Sequence, residues 1–349
     1  MEQNPWDLPE PPDARPVRTA SAWKPVIIIA VVAAVLLLSR VLPIPLFYAY
    51  MPGPVRDVTK LVEIVDEKTY SSEGELLLTT VGVDLQVTFA EWFGSLFDPT
   101  RTIILKEQLT QGRSLEELQR FERDEMAESK QHAMEVALTA LGYAEPEGDG
   151  ARVVETVQNS PAEGVLRKGD QIVGVDGTKV GTTCDVGRAI NEHDVGDQMK
   201  LVVVRDGRRE PIEVELAENP QAPGTAFIGI AMEDINYEFD PGLEVNIDTD
   251  EIDGPSGGLM LTLALYDRLT PSDLTGGRMI AGTGTIDCDG GVGPIGGIEQ
   301  KVAGAEGRGA EIFLAPLGNS EAAEEVAGDL EIVAVGTFDD AVEYLEGLD

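Results

Sequence analysis

Apolar residues follow several different rhythms along this chain, and the first has no polar break at all. Residues 26–38 read VIIIAVVAAVLLL, and after Ser39 and Arg40 the run resumes as VLPIPLFYAYM. Continuous branched aliphatics on every face do not suit an amphipathic surface helix. A bilayer span needs about 20 residues and a signal-peptide core about 7 to 15, so length alone admits both. The residues before it, 1–24, are rich in proline and charge, the composition of a disordered leader. That leader is long, acidic as well as basic, and no small-x-small cleavage site follows the core. The expectation is therefore an uncleaved anchor over 25–48, in preference to a signal peptide or a buried core helix. Trp23 and Lys24 on one side and Phe47, Tyr48 and Tyr50 on the other suit the two membrane interfaces. Arg15, Arg18 and Lys24 precede the segment while Arg40 and Arg56 follow it. This bias predicts a single-pass cell-membrane protein with a cytoplasmic amino terminus and an extracytoplasmic body.

The rhythm then shortens. Residues 55–118 mix strand-like pieces such as GELLLTTVGVDLQVTF with polar turns and carry no assignable motif. From Ser114 to Leu141 the period becomes helical: Phe121, Met126, Ala133, Ala137 and Leu141 recur near helical spacing with charge between them, and Gly142 supplies a stop. The stripe reads as core packing. Residues 143–218 alternate short β-branched strands with glycine turns, predict a helix at 184–194, and finish with the strand MKLVVVRDG. NPQAPGT, residues 219–225, has the composition of a linker.

Composition narrows the partners. Sixty-three acidic against twenty-six basic residues give a net charge of −37, which repels phosphate backbones and argues against nucleic acid. Cys184 and Cys288 fall in different predicted domains, so neither a disulfide framework nor a CxxC metal site is supported. DTDEIDG at 248–254 does not place its acids on the first, third and fifth positions of a calcium loop, and Leu259 occupies the twelfth; no metal is expected. No G-x-x-x-x-G-K-[ST] loop occurs either, so ATP hydrolysis by this chain is not supported and no cofactor is expected.

Two stretches carry candidate chemistry. GPSGG, residues 254–258, precedes LMLTLALYDRL, whose Leu259, Leu263, Leu265 and Leu269 predict a helix packed in a core. Ser256 then sits at the amino-terminal end of that helix, where unpaired N–H groups and the dipole favour negative charge; serine is equally an ordinary cap there. A nucleophilic serine needs a base. His132 and His193, the two histidines, fall in other segments, which disfavours a Ser-His-Asp triad. A desolvated lysine is the alternative, and Lys301 is the one lysine after residue 201. It is flanked by glycine turns and by Val302, Ala303 and Ala305, although an exposed lysine paired with Glu299 or Glu306 fits the local sequence as well.

The two stretches together, DGPSGG and then AGTGTIDCDGGVGPIGGIEQKV, with 45 positions from Ser256 to Lys301, resemble the proteolytic domain of Lon-type serine proteases over roughly residues 226–349. That resemblance implies Ser256 as nucleophile, Lys301 as general base and Thr283, in the TG turn, as the hydroxyl that orients the lysine. Asp253 and Gly254 match the acid and glycine before the serine, and Gly257 departs from the family's alanine. SPAEGVLRKGDQIVGVDGTKV resembles the permuted PDZ domains of bacterial envelope proteases, which implies peptide capture at an open sheet edge. The order anchor, PDZ, Lon-type domain resembles the membrane-anchored Lon-like proteases of Gram-positive bacteria. It implies that 55–142 belongs to the protease body and that the substrates are proteins or peptides; the Lon-type resemblance adds a homo-oligomer as an expectation, with no number fixed by the sequence. The expected class is α+β, with one transmembrane helix, a PDZ-like domain at 143–218 and a proteolytic domain at 226–349. The expected function is an ATP-independent serine endopeptidase acting on unfolded or flexible envelope proteins. The competing reading is a non-catalytic PDZ scaffold with an inactive Lon-type half.

Overall fold

The computed structural model describes residues 23–220, 222–249 and 252–348. The long apolar run does not stay helical. Helix α1 spans Trp23–Ser39, 17 residues, which at about 1.5 Å per residue falls short of the roughly 30 Å hydrocarbon core. The chain then turns, with the N–H groups of Arg40, Val41 and Leu42 bonded back to the carbonyls of Leu37 and Leu38. Pro43 and Pro45 lack the N–H a continuing helix needs. The rest of the run becomes the strand Phe47–Pro52, in which Tyr48 and Ala49 are buried, between the antiparallel strands Val81–Asp84 and Thr102–Leu105. Among the described residues, no helix is long and apolar enough to cross a membrane. The anchor expected over 25–48 is corrected accordingly, and with it the single-pass cell-membrane topology and the extracytoplasmic body. The residues needed to lengthen the helix into a span are instead the turns of 40–46 and the start of the strand Phe47–Pro52. Of the expected leader, residues 1–22 lie outside the described residues, while Trp23 and Lys24 open α1.

Two short helices follow, α2 (Phe89–Gly94) and α3 (Lys106–Thr110), and then α4 (Leu115–Ala140). A reciprocal cap starts α4: Glu117 N–H donates to Ser114 Oγ while Ser114 N–H donates to the Glu117 carboxylate. Met126, Ala133 and Ala137 of the expected stripe are buried. Phe121 is the exception, exposed and stacked under the Arg113 guanidinium.

After α4 the chain builds an antiparallel sheet. Its strands run Arg208–Glu215, Gln198–Arg205, Gln171–Val175, Ala151–Thr156 and Ile230–Asp234, with Thr178–Lys179 paired beside Gln171–Val175. Two of its hairpins close on Asp-Gly pairs with both φ positive, Asp176-Gly177 and Asp206-Gly207, the turn whose twist matches the flanking strands. Helix α5 (Thr183–Asn191) covers this sheet through the buried Val186. Because Ile230–Asp234 pairs with Ala151–Thr156, the sheet extends past residue 218, where the domain was expected to end.

The remaining body is a five-stranded sheet in the order Arg56–Asp57, Glu75–Leu78, Met279–Gly282, Ile312–Pro316, Glu331–Val335, parallel except for the first pair. Runs such as ELLL and IFLAP are apolar on successive residues because both faces are covered. Leu76, Leu78, Ile280, Ile312 and Leu314 point into one core with α4, α6 (Gly258–Leu269) and α9 (Phe338–Glu346). Leu77, Ala281, Phe313 and Ala315 point into the other, with α7 (Ile298–Arg308) and α8 (Ser320–Val326). A parallel sheet covered on both faces makes this a mixed α/β chain, correcting the expected α+β class with its membrane helix.

Cys184, in α5, forms a disulfide with Cys288, 104 positions away. The bond was not expected from sequence, since the two cysteines meet only through the docking of the two sheets' units.

Phe313 is among the largest fully buried side chains. Phe313→Ala is expected to cost about 3–5 kcal/mol, read as a lowered urea midpoint with unchanged slope.

Candidate active site

Ser256 lies in the 3₁₀ turn Pro255–Gly257, which runs directly into α6. The turn needs its glycine: Gly254 has φ +86°, and a Cβ there would lie 2.7 Å from Glu122 Oε2. Four contacts from other elements hold it. Gly254 N–H donates to the Glu122 carbonyl (3.0 Å), and Ser129 Oγ donates to the Pro255 carbonyl (3.1 Å), both from α4. From the other side, Gly284 N–H (2.9 Å) and Thr283 Oγ1 (3.0 Å) donate to the Ser256 carbonyl. Gly257 and Gly258 differ in what they tolerate. A Cβ on Gly257 meets Leu78 Cδ1 at 3.1 Å, a side-chain methyl, whereas one on Gly258 meets the Ile286 backbone nitrogen at 2.8 Å.

Lys301 is on α7, which starts after Gly297 in a left-handed conformation (φ +70°). Its side chain is 2% exposed. Nζ lies 2.7 Å from Ser256 Oγ and 2.8 Å from Thr283 Oγ1. The partners are thus two hydroxyls, not Glu299 or Glu306. Burial alone pushes the amine down from 10.5 to about 7. Near neutrality its unprotonated form is therefore populated, with two N–H donors and one lone pair facing the hydroxyls.

Asp253 is exposed, and both it and Gly254 line a cavity of about 650 Å³ that also contains Ser256 and Lys301. Val81, Val83, Leu109, Leu115 and Leu118 supply apolar walls. Glu122 borders the same space; burial, then the charges of Asp253 and Glu125, raise its carboxyl above the usual range. Neither histidine borders this cavity: His132 Nδ1 lies 3.3 Å from the Ile286 carbonyl and His193 pairs with Asp176.

Glu122, Ser129 and Gly284 were missed in the sequence. Ser129 left a trace: it sits three residues after Met126 and four before Ala133, a polar side chain on an otherwise apolar stripe. Among the described residues, no His/Cys/Asp/Glu group could hold a metal ion.

Two segments of the chain match known families. Residues 126–216 match the PDZ domain and residues 247–346 the Lon protease (S16) C-terminal proteolytic domain. Lon protease 2 of Bacillus subtilis (strain 168) is 32% identical over 114 residues, covering 32% of this chain and 19% of that protein. Lon protease of Campylobacter jejuni is 37% identical over 97 residues, 26% of this chain and 12% of that protein. Lon protease of Phenylobacterium zucineum (strain HLK1) is 39% identical over 101 residues, 28% of this chain and 12% of that protein. The chain thus spans no more than 19% of the length of these curated relatives. Among solved structures, the PDZ domain of an SdrC-like protein from Listeria innocua is 28% identical, with 24% of this chain and 93% of that chain covered and a TM-score of 0.23.

The depressed amine has a consequence for stability that does not depend on turnover. Between pH 7 and 10.5 the unfolded chain binds more protons at this lysine than the folded one, so its contribution to stability rises with pH across that window. Lys301→Met abolishes that term. The variant's urea midpoint, relative to wild type, is expected to be highest at pH 7 and to fall by pH 9.5.

Proposed function

We propose that this chain is an ATP-independent serine endopeptidase of the Lon type, with Ser256 as nucleophile and Lys301 as general base. The observation that carries the reading is a buried amine, of pKa about 7, 2.7 Å from a serine hydroxyl at the start of a helix. The similarity of residues 247–346 to the Lon proteolytic domain supports it.

In the proposed reaction Lys301 Nζ, unprotonated, takes the Ser256 hydroxyl proton as Oγ bonds to the peptide carbonyl carbon. The carbonyl oxygen becomes an oxyanion, stabilised by the positive end of α6, on whose opening turn Ser256 stands. The ammonium then gives its proton to the leaving amine as the C–N bond breaks, and an acyl-enzyme remains. Water attacks that ester with Lys301 again as base, releasing the acid and restoring the serine. Thr283 Oγ1 accepts one N–H of the amine and donates its own proton to the Ser256 carbonyl, so it keeps the lone pair aimed at Oγ.

The PDZ unit takes an extended chain end as an added strand. Ile230–Asp234 is at the edge of its sheet, with Thr183 N–H of α5 donating to the Asp234 carboxylate (2.6 Å). Unfolded or flexible protein segments are the substrates.

Full-length protein incubated with unfolded casein without ATP tests the reading. Ser256→Ala and Lys301→Ala are each expected to lower cleavage by at least about 10³-fold while peptide binding persists. A binding module with an inactive protease half predicts no cleavage by wild type and no change in either variant. The reactive form is the neutral amine, so wild-type kcat is expected to rise with pH and reach half its plateau near pH 7. A rate that falls through that range overturns the assignment of the base.

A further inference from the structure

The turn between the strands Thr285–Ile286 and Val292–Gly293 carries Cys288, and the two legs of that hairpin matter to the site. One leg leaves directly from Thr283 and Gly284; the other leads through Pro294 and Gly297 into α7 and Lys301. Cys184, at the start of α5, is bonded to the tip of this hairpin. The same helix is tied at its first residue to Asp234, the end of the edge strand proposed to receive a peptide. The disulfide therefore joins the peptide-capturing element to the hairpin that starts two residues after Thr283, a hydroxyl partner of Lys301.

Beside the bond, Arg188 Nε donates to Asp289 Oδ1 at 2.8 Å, a partly exposed ion pair of a kind that holds weakly alone. The hairpin has separate anchors in the body: Phe338 N–H to the Gly290 carbonyl (2.7 Å) and Val292 N–H to the Gly336 carbonyl (2.8 Å). Opening the disulfide would free α5, together with the sheet it packs on, from the hairpin while leaving the hairpin in place. Both cysteines are half-buried and border a second cavity, about 540 Å³, in the seam between the two units, so a small reductant reaches them.

Resting on the protease reading above, we propose that Cys184–Cys288 is a redox latch that fixes the peptide-capturing unit at a set distance from Ser256. A dithiol reductant opens it: the Sγ–Sγ bond breaks to two thiols with two electrons and two protons supplied by the dithiol, which closes to its own disulfide. With the latch closed, a captured chain is presented to the cavity at high effective concentration. With it open, the unit moves independently and that advantage is lost. Long unfolded chains, which use capture, feel the change; short peptides, which bind the cavity directly, do not.

The test uses full-length protein in three forms: oxidised, reduced with dithiothreitol, and the Cys184→Ala/Cys288→Ala double variant. Amide exchange is followed over 183–191, and cleavage is measured on casein and on a short fluorogenic peptide. Reduced and variant forms are expected to exchange faster over 183–191 and to show a casein-to-short-peptide ratio lower by at least about threefold. Unchanged exchange overturns the latch whatever the activity. Faster exchange with an unchanged ratio overturns its coupling to cleavage. If the oxidised protein cleaves neither substrate, the protease reading fails, and exchange still decides whether the latch exists.

Discussion

Keeping one amine dry constrains most of the architecture around it. Lys301 loses its charge near neutrality only because protein replaces water on every side, and that requires a sheet face, two helices and a turn to meet around Nζ. The parallel sheet supplies Thr283 just past the end of a central strand, α6 brings Ser256 on its opening turn, and α7 delivers the lysine one turn in. Because the hydroxyls are the partners of Nζ, they satisfy its donors without holding it charged, as a carboxylate would.

The order of these parts was partly legible in the sequence. GPSGG before a leucine-rich segment marked a turn entering a buried helix, and glycine pairs before Lys301 marked another, since both use conformations that glycine adopts at little cost. The Asp-Gly turns of the antiparallel sheet were readable for the same reason. Local chemistry was strong enough there to fix local structure.

What was not legible depended on distant partners. GELLLTTVGVDLQVTF read as unassigned strands, yet Glu75–Leu78 lies inside the parallel sheet, because its neighbour Met279–Gly282 comes about two hundred positions later. The apolar run from residue 26 misled in the opposite sense. Hydropathy reports how apolar a segment is but not what covers it, and Tyr48 and Ala49 are covered by neighbouring strands. The cysteine pairing was hidden likewise, since 104 positions of separation carry no geometric information without the fold.

The strand Glu75–Leu78 and helix α4 precede the antiparallel unit in the chain, whereas the strands and helices they pack against follow it. The antiparallel unit is in this sense an insertion, entered and left through a body that is already half built. Nothing downstream of it is a complete globule: without the earlier residues, Met279–Gly282 would present a bare sheet edge, and the face of α6 that meets α4 would be open to water. Recombination can therefore exchange the inserted unit as a cassette, while the body that carries Ser256 and Lys301 passes between proteins only as two separated pieces inherited together.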